Sequence, residues 1–298
     1  MPAPFELRLA LFGHGWVDLA PNRWDEDAHA LATVLTLGRQ AVDVRLEQRG
    51  ARLELRTESR SPLGPAARQK LVSTVARMVR LDEDFAHFYA LCRRQPGFAW
   101  VARRGGGRLL RASSWFEDLA KLLLTTNCSW SQTRAMVARL CEALGRTAPS
   151  KAHAFPEPRA VAEVSERYLT TEIRVGYRAR ALLELAERLA RPGAARSLSR
   201  AALTADGLRE ELSSLHGFGP YAVGQALRLA GHYGDYALDS WCKNKLSERG
   251  LGATERALAR RYKGFGEYRG LALWMELTAP WHGEGPFARE GQTPLLAE

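Results

Sequence analysis

The chain has 298 residues, enough to bury a substantial core as one large domain or as two to three smaller ones. A hydrophobic fraction of 46% and a charged fraction of 26% are those of a globular protein; with no long apolar run and no charged-then-apolar leader, a membrane-spanning or exported chain is not expected, and a cytoplasmic, nucleoid-associated location is. The net charge of +10 favours a polyanionic partner, although six lysines against 37 arginines also fit GC-rich coding, and most of the excess lies in residues 101–298, where 29 basic side chains face 21 acidic ones.

Taken in chain order, apolar residues first alternate from Phe5 to Leu11 (Phe5, Leu7, Leu9, Leu11), and the period returns at Val42, Val44 and Leu46 and at Leu53 and Leu55. Such alternation predicts half-buried strands. EQRGAR supplies the glycine of a turn between the last two, so a small N-terminal antiparallel sheet is expected, closed by SPLGP at 61–65. Beyond it, AARQKLVSTVARMVRL, WFEDLAKLLL, SQTRAMVARLCEALG, RARALLELAERLA and ERALARRY carry apolar residues at three- and four-residue spacing, which predicts a helical body. Breakers at RRGGGR (103–108), FPEP (155–158) and RPGAARS (191–197) divide it. The expected fold is α+β and mostly α: a β-rich subdomain at 1–85, a helical lobe at 86–205, and a hairpin-bearing region with C-terminal helices at 206–298, with a cleft between the helical lobes.

Cys92, Cys128, Cys141 and Cys242 show no CxxC spacing, so reduced thiols are expected, with neither a zinc site nor an iron–sulfur cluster.

In LSSLHGFGPYAVGQALRLAG the first helix is expected to run to about Ser214, Gly217 and Gly219 permit a tight turn, and Pro220 sits in the first turn of a second helix. The free amides of that helix start, unobstructed by side chains at the glycines, form a natural phosphate seat. A plain helix–helix corner would use the same residues.

The neighbourhood narrows the choice. LHGFGPYAVGQAL resembles the helix-hairpin-helix motif, and YALDSW, starting 15 residues after Tyr221, resembles the apolar-Asp segment of the helix-hairpin-helix (HhH-GPD) DNA glycosylase superfamily. Further similarities keep the family's order: LLRASSWFEDLAKLLLTTNCSWSQTRAMVARLCEALG (109–145), FP at 155, IRVGYRARAL (173–182) and GFGEYRGLALWMELT (264–278), after a β-rich segment ending in LDEDFAHFYAL. The pattern is closest to the 8-oxoguanine and 3-methyladenine (alkylbase) branches and covers nearly the whole chain.

The resemblance implies a base-excision enzyme acting on damaged, double-stranded DNA as a monomer, without a membrane partner. Asp239 matches the aspartate that stabilises positive charge on the sugar and orients or deprotonates water; an N-cap ahead of SWCKNKL is the alternative for that residue. Tyr221 stands where some relatives carry a nucleophilic lysine, which implies a monofunctional glycosylase that uses water. Lys243 and Lys245 are the candidate substitutes for that lysine, and are more simply aimed at phosphates or solvent. Asn127 matches the residue that fills the gap left by a flipped base, or else caps the helix starting near Trp130.

Backbone amides at Gly217, Phe218, Gly219 and Tyr221 would hold a phosphate, and a sodium or potassium ion on the carbonyls of Ser213, Leu215 and Phe218 is implied by the family. Tyr221, Trp241 and Trp130 are candidate walls for the base, with core packing as the alternative; Gln225, one helical turn beyond Tyr221, could read a base edge. His14 and Trp16 lie where 8-oxoguanine glycosylases approach the lesion, but FGHGWVDL departs from their pattern. Alkylated purines therefore lead the candidate substrates, ahead of oxidised and deaminated bases. A helix-hairpin-helix DNA-binding protein without catalysis, a bifunctional lyase and a helical adaptor without nucleic acid are the other readings.

Overall fold

The computed structural model describes residues 2–284. Strands β1 (Arg23–Asp25), β2 (Ala30–Leu37), β3 (Gln40–Arg49) and β4 (Arg52–Ser59) form one antiparallel sheet in sequence order. Its two tight hairpins follow from glycine: Leu37 pairs with Gln40 around Gly38 at φ +61°, and Arg49 pairs with Arg52 around Gly50 at φ +57°. The turn expected in EQRGAR is the second of these. Strand β2 gave no alternating signal because both of its faces are covered. Leu31 and Leu35 join the main core, while Val34 packs with Ala41, Ala148 and Ala154.

The segment Phe5–Leu11 corrects the strand expected there: Leu7–Leu11 is a short helix, α1. Leu7 and Leu11 enter the main core while Leu9 enters a second one, so burial on two sides of a helix mimics the alternation of a strand.

Helix α2 (Pro65–Met78) begins with proline at its first turn and lays Leu71, Val75 and Met78 into the core that the sheet shares. Then follow α3 (Ala86–Arg94), α4 (Ala99–Arg104), α5 (Trp115–Leu124), α6 (Trp130–Leu144), α7 (Pro158–Ala162) and α8 (Glu166–Tyr168). After α9 (Ala179–Ala190) and α10 (Ala194–Ala201) come the hairpin helices α11 (Ala205–Ser213) and α12 (Pro220–Ala230). Helices α13 (Ser240–Glu248), α14 (Glu255–Arg261) and α15 (Arg269–Thr278) follow, and a 3-10 turn at Ala279–His282 comes after them. No helix among the described residues is long and apolar enough to cross a membrane.

Two cores organise these elements. One joins the sheet with α2, α5, α6 and α9 to α12; the other joins α3 and α4 to Tyr233 and helices α13 to α15. The division therefore cuts across sequence order. Residues 86–109 pack with the C-terminal helices, whereas the hairpin packs with the middle of the chain.

Between the cores lies a buried polar network. Arg80, with 0% of its surface exposed, donates from Nε to the Leu109 carbonyl (2.6 Å), from Nη1 to Glu83 (2.6 Å) and Tyr233 Oη (3.0 Å), and from Nη2 to the carbonyls of Arg228 (3.0 Å) and Leu229 (3.2 Å). Arg111 adds Nε to the Leu229 carbonyl at 2.7 Å and an ion pair to Glu83. Two arginines thus satisfy the Leu229 carbonyl at the C-terminal end of α12, and one of them adds a second donor to the Arg228 carbonyl, which also accepts from Gly231 N.

Candidate active site

A cavity of about 960 Å³ opens between the two cores, lined by residues from the N-terminal segment, the α5–α6 loop, the hairpin, α12, the start of α13 and α15. Helix α12 forms one wall. Gly217 is at φ +83°, and a Cβ there would meet Leu123 Cδ1 at 2.6 Å and Ala181 Cβ at 3.2 Å, so this position requires glycine twice over. Gly219, the N-cap of α12, has extended backbone and nothing within 4 Å of where its Cβ would lie. The first glycine packs the turn and the second leaves its outer side clear. Phe218 is buried in the main core and its amide is spent on the Leu215 carbonyl, so it is not the phosphate donor expected there and only its carbonyl is left for a ligand.

The turn closes through backbone bonds from Leu215 N to the Leu212 carbonyl (3.0 Å) and from Phe218 N to the Leu215 carbonyl (3.2 Å). The Leu215 oxygen thus spends one lone pair inside the turn and keeps its second outside that bond.

Asp239 lies at the cavity edge as the N-cap of α13, its Oδ1 accepting from Cys242 N at 2.6 Å. The cap fixes the direction of the carboxylate, so capping and a role in the cavity coexist. The preceding loop is pressed against two glycines. A Cβ on Gly224 of α12 would lie 2.8 Å from Ala237 Cβ and 2.9 Å from Asp235 Oδ1, and one on Gly270 of α15 would collide with the Asp235 carbonyl. Close approach of both helices sets where Asp239 stands.

Asn127 is exposed, at φ +48°, and its Nδ2 donates to Tyr177 Oη at 3.1 Å. It does not cap α6. That cap is Ser129, in a capping box with Gln132, because Ser and Gln at this spacing satisfy each other's backbone amides. Arg178 supports the loop by donating Nε to the Thr126 carbonyl at 3.0 Å and Nη2 to the Asn127 carbonyl at 3.2 Å.

On the cavity walls, Trp241, Trp274 and Trp281 form a triangle with ring centroids 5.4 to 6.0 Å apart. Trp130 also lines the cavity, its Nε1 bonded to Asp18 Oδ2 at 2.7 Å and its ring against Gly15, where a side chain would collide with it. Trp16 lines it as well, with Nε1 bonded to the buried Asp118 at 2.8 Å. Burial, with the Asp239 charge second, pushes the Tyr221 phenol up to about 12, so it stays protonated.

His14 Nε2 lies 2.7 Å from the Leu110 carbonyl, and burial, helped by the charges of Arg80, Arg228 and Lys121, pushes its pKa down to about 3. His282 is likewise pushed down to about 3 by burial and by Arg104 and Arg8. Both rings are neutral in the folded chain at neutral pH, whereas unfolded histidines take up a proton near about pH 6.5. Between those values the unfolded chain binds more protons, so stability rises with pH through this window and levels off above it. Denaturant midpoints measured from about pH 7 down to about pH 4 are expected to fall, and to fall less steeply in His14→Gln.

Lys243 is exposed, and Lys245 pairs with Glu248 at 2.7 Å; neither lines the cavity, and no other lysine does among the described residues. Gln225 does line it, with Oε1 accepting from Arg228 Nη1 at 3.1 Å.

Sequence reasoning passed over Arg228, Trp274, Trp281, Tyr177 and Arg178, all of which line the cavity. Arg228 had a legible signal: Tyr221, Gln225 and Arg228 recur at i, i+4 and i+7, one face of a helix. Tyr177, 67% exposed, and Arg178 sit in a stretch whose pattern gave them no distinct role.

No protein-family model matches the sequence, and no curated protein matches it. Among solved structures, MBOgg1 in complex with a low-affinity DNA ligand superposes with a TM-score of 0.70 at 18% identity, covering 91% of this chain and 90% of that one. The 3-methyladenine DNA glycosylase from Archaeoglobus fulgidus gives 0.71 at 16% identity, covering 92% and 95%. The Clostridium acetobutylicum 8-oxoguanine glycosylase/lyase, in complex with double-stranded DNA containing cytosine opposite 8-oxoguanine, gives 0.66 at 16%, covering 93% and 92%. With its N-terminal antiparallel sheet followed by a helical body, the chain has the fold of these three solved structures over about nine-tenths of its length.

Proposed function

We propose that the protein is a monofunctional DNA glycosylase that receives a flipped damaged base in the cavity between its lobes and hydrolyses the N-glycosidic bond, leaving an abasic site. The observation that carries this reading is the meeting of Asp239, exposed Asn127 and aromatic walls at one cavity whose rim holds the hairpin glycines.

As the bond between sugar and base stretches, positive charge grows on the sugar, and the Asp239 carboxylate stabilises it and accepts a proton from the attacking water. Asn127 enters the duplex where the base has left, with Tyr177 beside it. Amides at Gly217, Gly219 and Tyr221 grip one phosphate, which the clear space before Gly219 allows. A sodium or potassium ion on the carbonyls of Ser213, Leu215 and Phe218 would brace the turn from behind. Water rather than an imine is favoured because Tyr221 occupies the lysine position and no lysine lines the cavity among the described residues. The enzyme works as a monomer on duplex DNA in the nucleoid, with alkylated purines leading the sequence-based candidates and oxidised or deaminated bases behind them.

The test incubates the protein with duplexes that each bear one altered base and scores strand breaks before and after hot alkali. Breaks are expected only after alkali. Breaks without alkali, trapped by borohydride, would make it a lyase, and salt-sensitive binding with no base release would make it a binding protein.

A further inference from the structure

We propose that Arg228 makes the cavity selective for an uncharged base bearing an oxo group, and that its guanidinium takes up the negative charge such a base acquires as it leaves. The inference rests on the base-excision reading above and departs from the order of substrates suggested by sequence.

Arg228 is 2% exposed yet lines the cavity. Its Nη2 donates to the Tyr236 carbonyl at 3.0 Å, its Nη1 to Gln225 Oε1 at 3.1 Å, and its guanidinium lies 4.9 Å from the centroid of the Trp274 ring. Its Nε, also buried, has no partner among the described residues. That nitrogen is sealed from the cavity, but Nη1 and Nη2 each spend only one of their two N–H groups on Gln225 and Tyr236, and no carboxylate pairs with the guanidinium among the described residues, so its charge and remaining donors stay open to a carbonyl oxygen on a ligand.

The tryptophan triangle alone would suit a cationic alkylated base, because aromatic faces attract cations. The face of Trp274, however, already carries the protein's own cation. A second positive charge brought into the same low-dielectric space would be repelled. His14 adds no charge, since burial keeps it neutral. Apart from His216, which faces Glu184 at 3.3 Å, the charged side chains among the described lining residues are Arg178, Arg228 and Asp239; Arg178 is committed to the loop carbonyls of Thr126 and Asn127, and Asp239 stands at the sugar.

The chemistry of departure points the same way. When the C1′–N bond of an uncharged base breaks, its electron pair passes to the base, which leaves as an anion with charge on its oxo oxygen. Water oxygen bonds to C1′, and its proton passes by way of Asp239 to the departing base. A base already made cationic by alkylation leaves neutral and gains little from a fixed guanidinium. A donor held rigid by Tyr236, Gln225 and Trp274 is preorganised for the first case.

Single-turnover base release by wild type and Arg228→Met is to be compared on duplexes carrying uncharged oxo bases (8-oxoguanine, hypoxanthine, uracil) and cationic ones (N7-methylguanine, 3-methyladenine). Wild type is expected to release at least one oxo base in preference to both methylated purines, and the variant to lose about 100-fold on that base while release of methylated purines holds or rises. A wild-type preference for methylated purines overturns the inference and leaves base excision standing, and it requires no folded variant. An equal loss on both classes in Arg228→Met, with the thermal midpoint retained, also overturns it. Release of nothing from any duplex removes base excision and this inference together.

Discussion

Asp239→Asn is expected to lower single-turnover base release by about 10³-fold, while leaving both thermal stability and affinity for a duplex with an abasic analogue near wild type. The choice of asparagine follows from the double use of this residue. Oδ1 of Asp239 caps α13 by accepting from Cys242 N, and asparagine caps about as well as aspartate. The substitution keeps the acceptor and removes the charge. Alanine would remove both, costing about 1 kcal/mol of cap energy and releasing the loop, so its loss of rate would mix two causes. Unchanged base release in Asp239→Asn would mean that another group stabilises the sugar cation.

The largest effect on stability is expected at Arg80. Arg80→Met removes the centre of a buried network, takes the donor from the Leu109 carbonyl, weakens the pairing of the buried Glu83 carboxylate to Arg111 and Tyr233 alone, and strips one partner from the carbonyls at the end of α12, for a cost of about 3–5 kcal/mol in denaturant unfolding. Burial alone would raise the Glu83 pKa, but Arg80 and Arg111 outweigh it and hold the carboxyl below its ordinary range. That contribution is therefore present above the unfolded carboxyl pKa of about 4.5 and lost as pH falls below it. Arg188→Met, which breaks a more exposed pair with Glu211, serves as the comparison and is expected to cost under about 1 kcal/mol. A similar small loss at Arg80 would show that the network contributes little beyond packing.

Much of the architecture could be read from the chain because local signals and packing agreed. Pro65 and Pro220 start helices, Gly50 turns a hairpin, and helix α5 shows the spacing of a buried face. Reading failed where one segment touches two cores, as in α1, or where both faces of a strand are covered, as in β2. At the site, the glycines and Asp239 were legible because backbone demands leave sharp residue types. Asn127 lost its alternative as a cap only once Ser129 was seen to hold that place. Arg228 escaped notice because an arginine on an apolar helix reads as solvent-facing until Trp274, from a helix more than forty residues away, is seen packed against it.

Helix α12 also acts as a ruler. Its clear N-terminal end at Gly219 and the guanidinium of Arg228 belong to one rigid rod, and at about 1.5 Å per residue their spacing along it is set by the count of residues between them. Inserting a single residue in that interval would turn everything beyond it by about 100°, carrying Arg228 away from the cavity while the glycine turn stayed where it was. The length of PYAVGQAL is thus as much a part of the site as its side chains, and natural variation in this stretch should proceed by substitution and not by insertion or deletion.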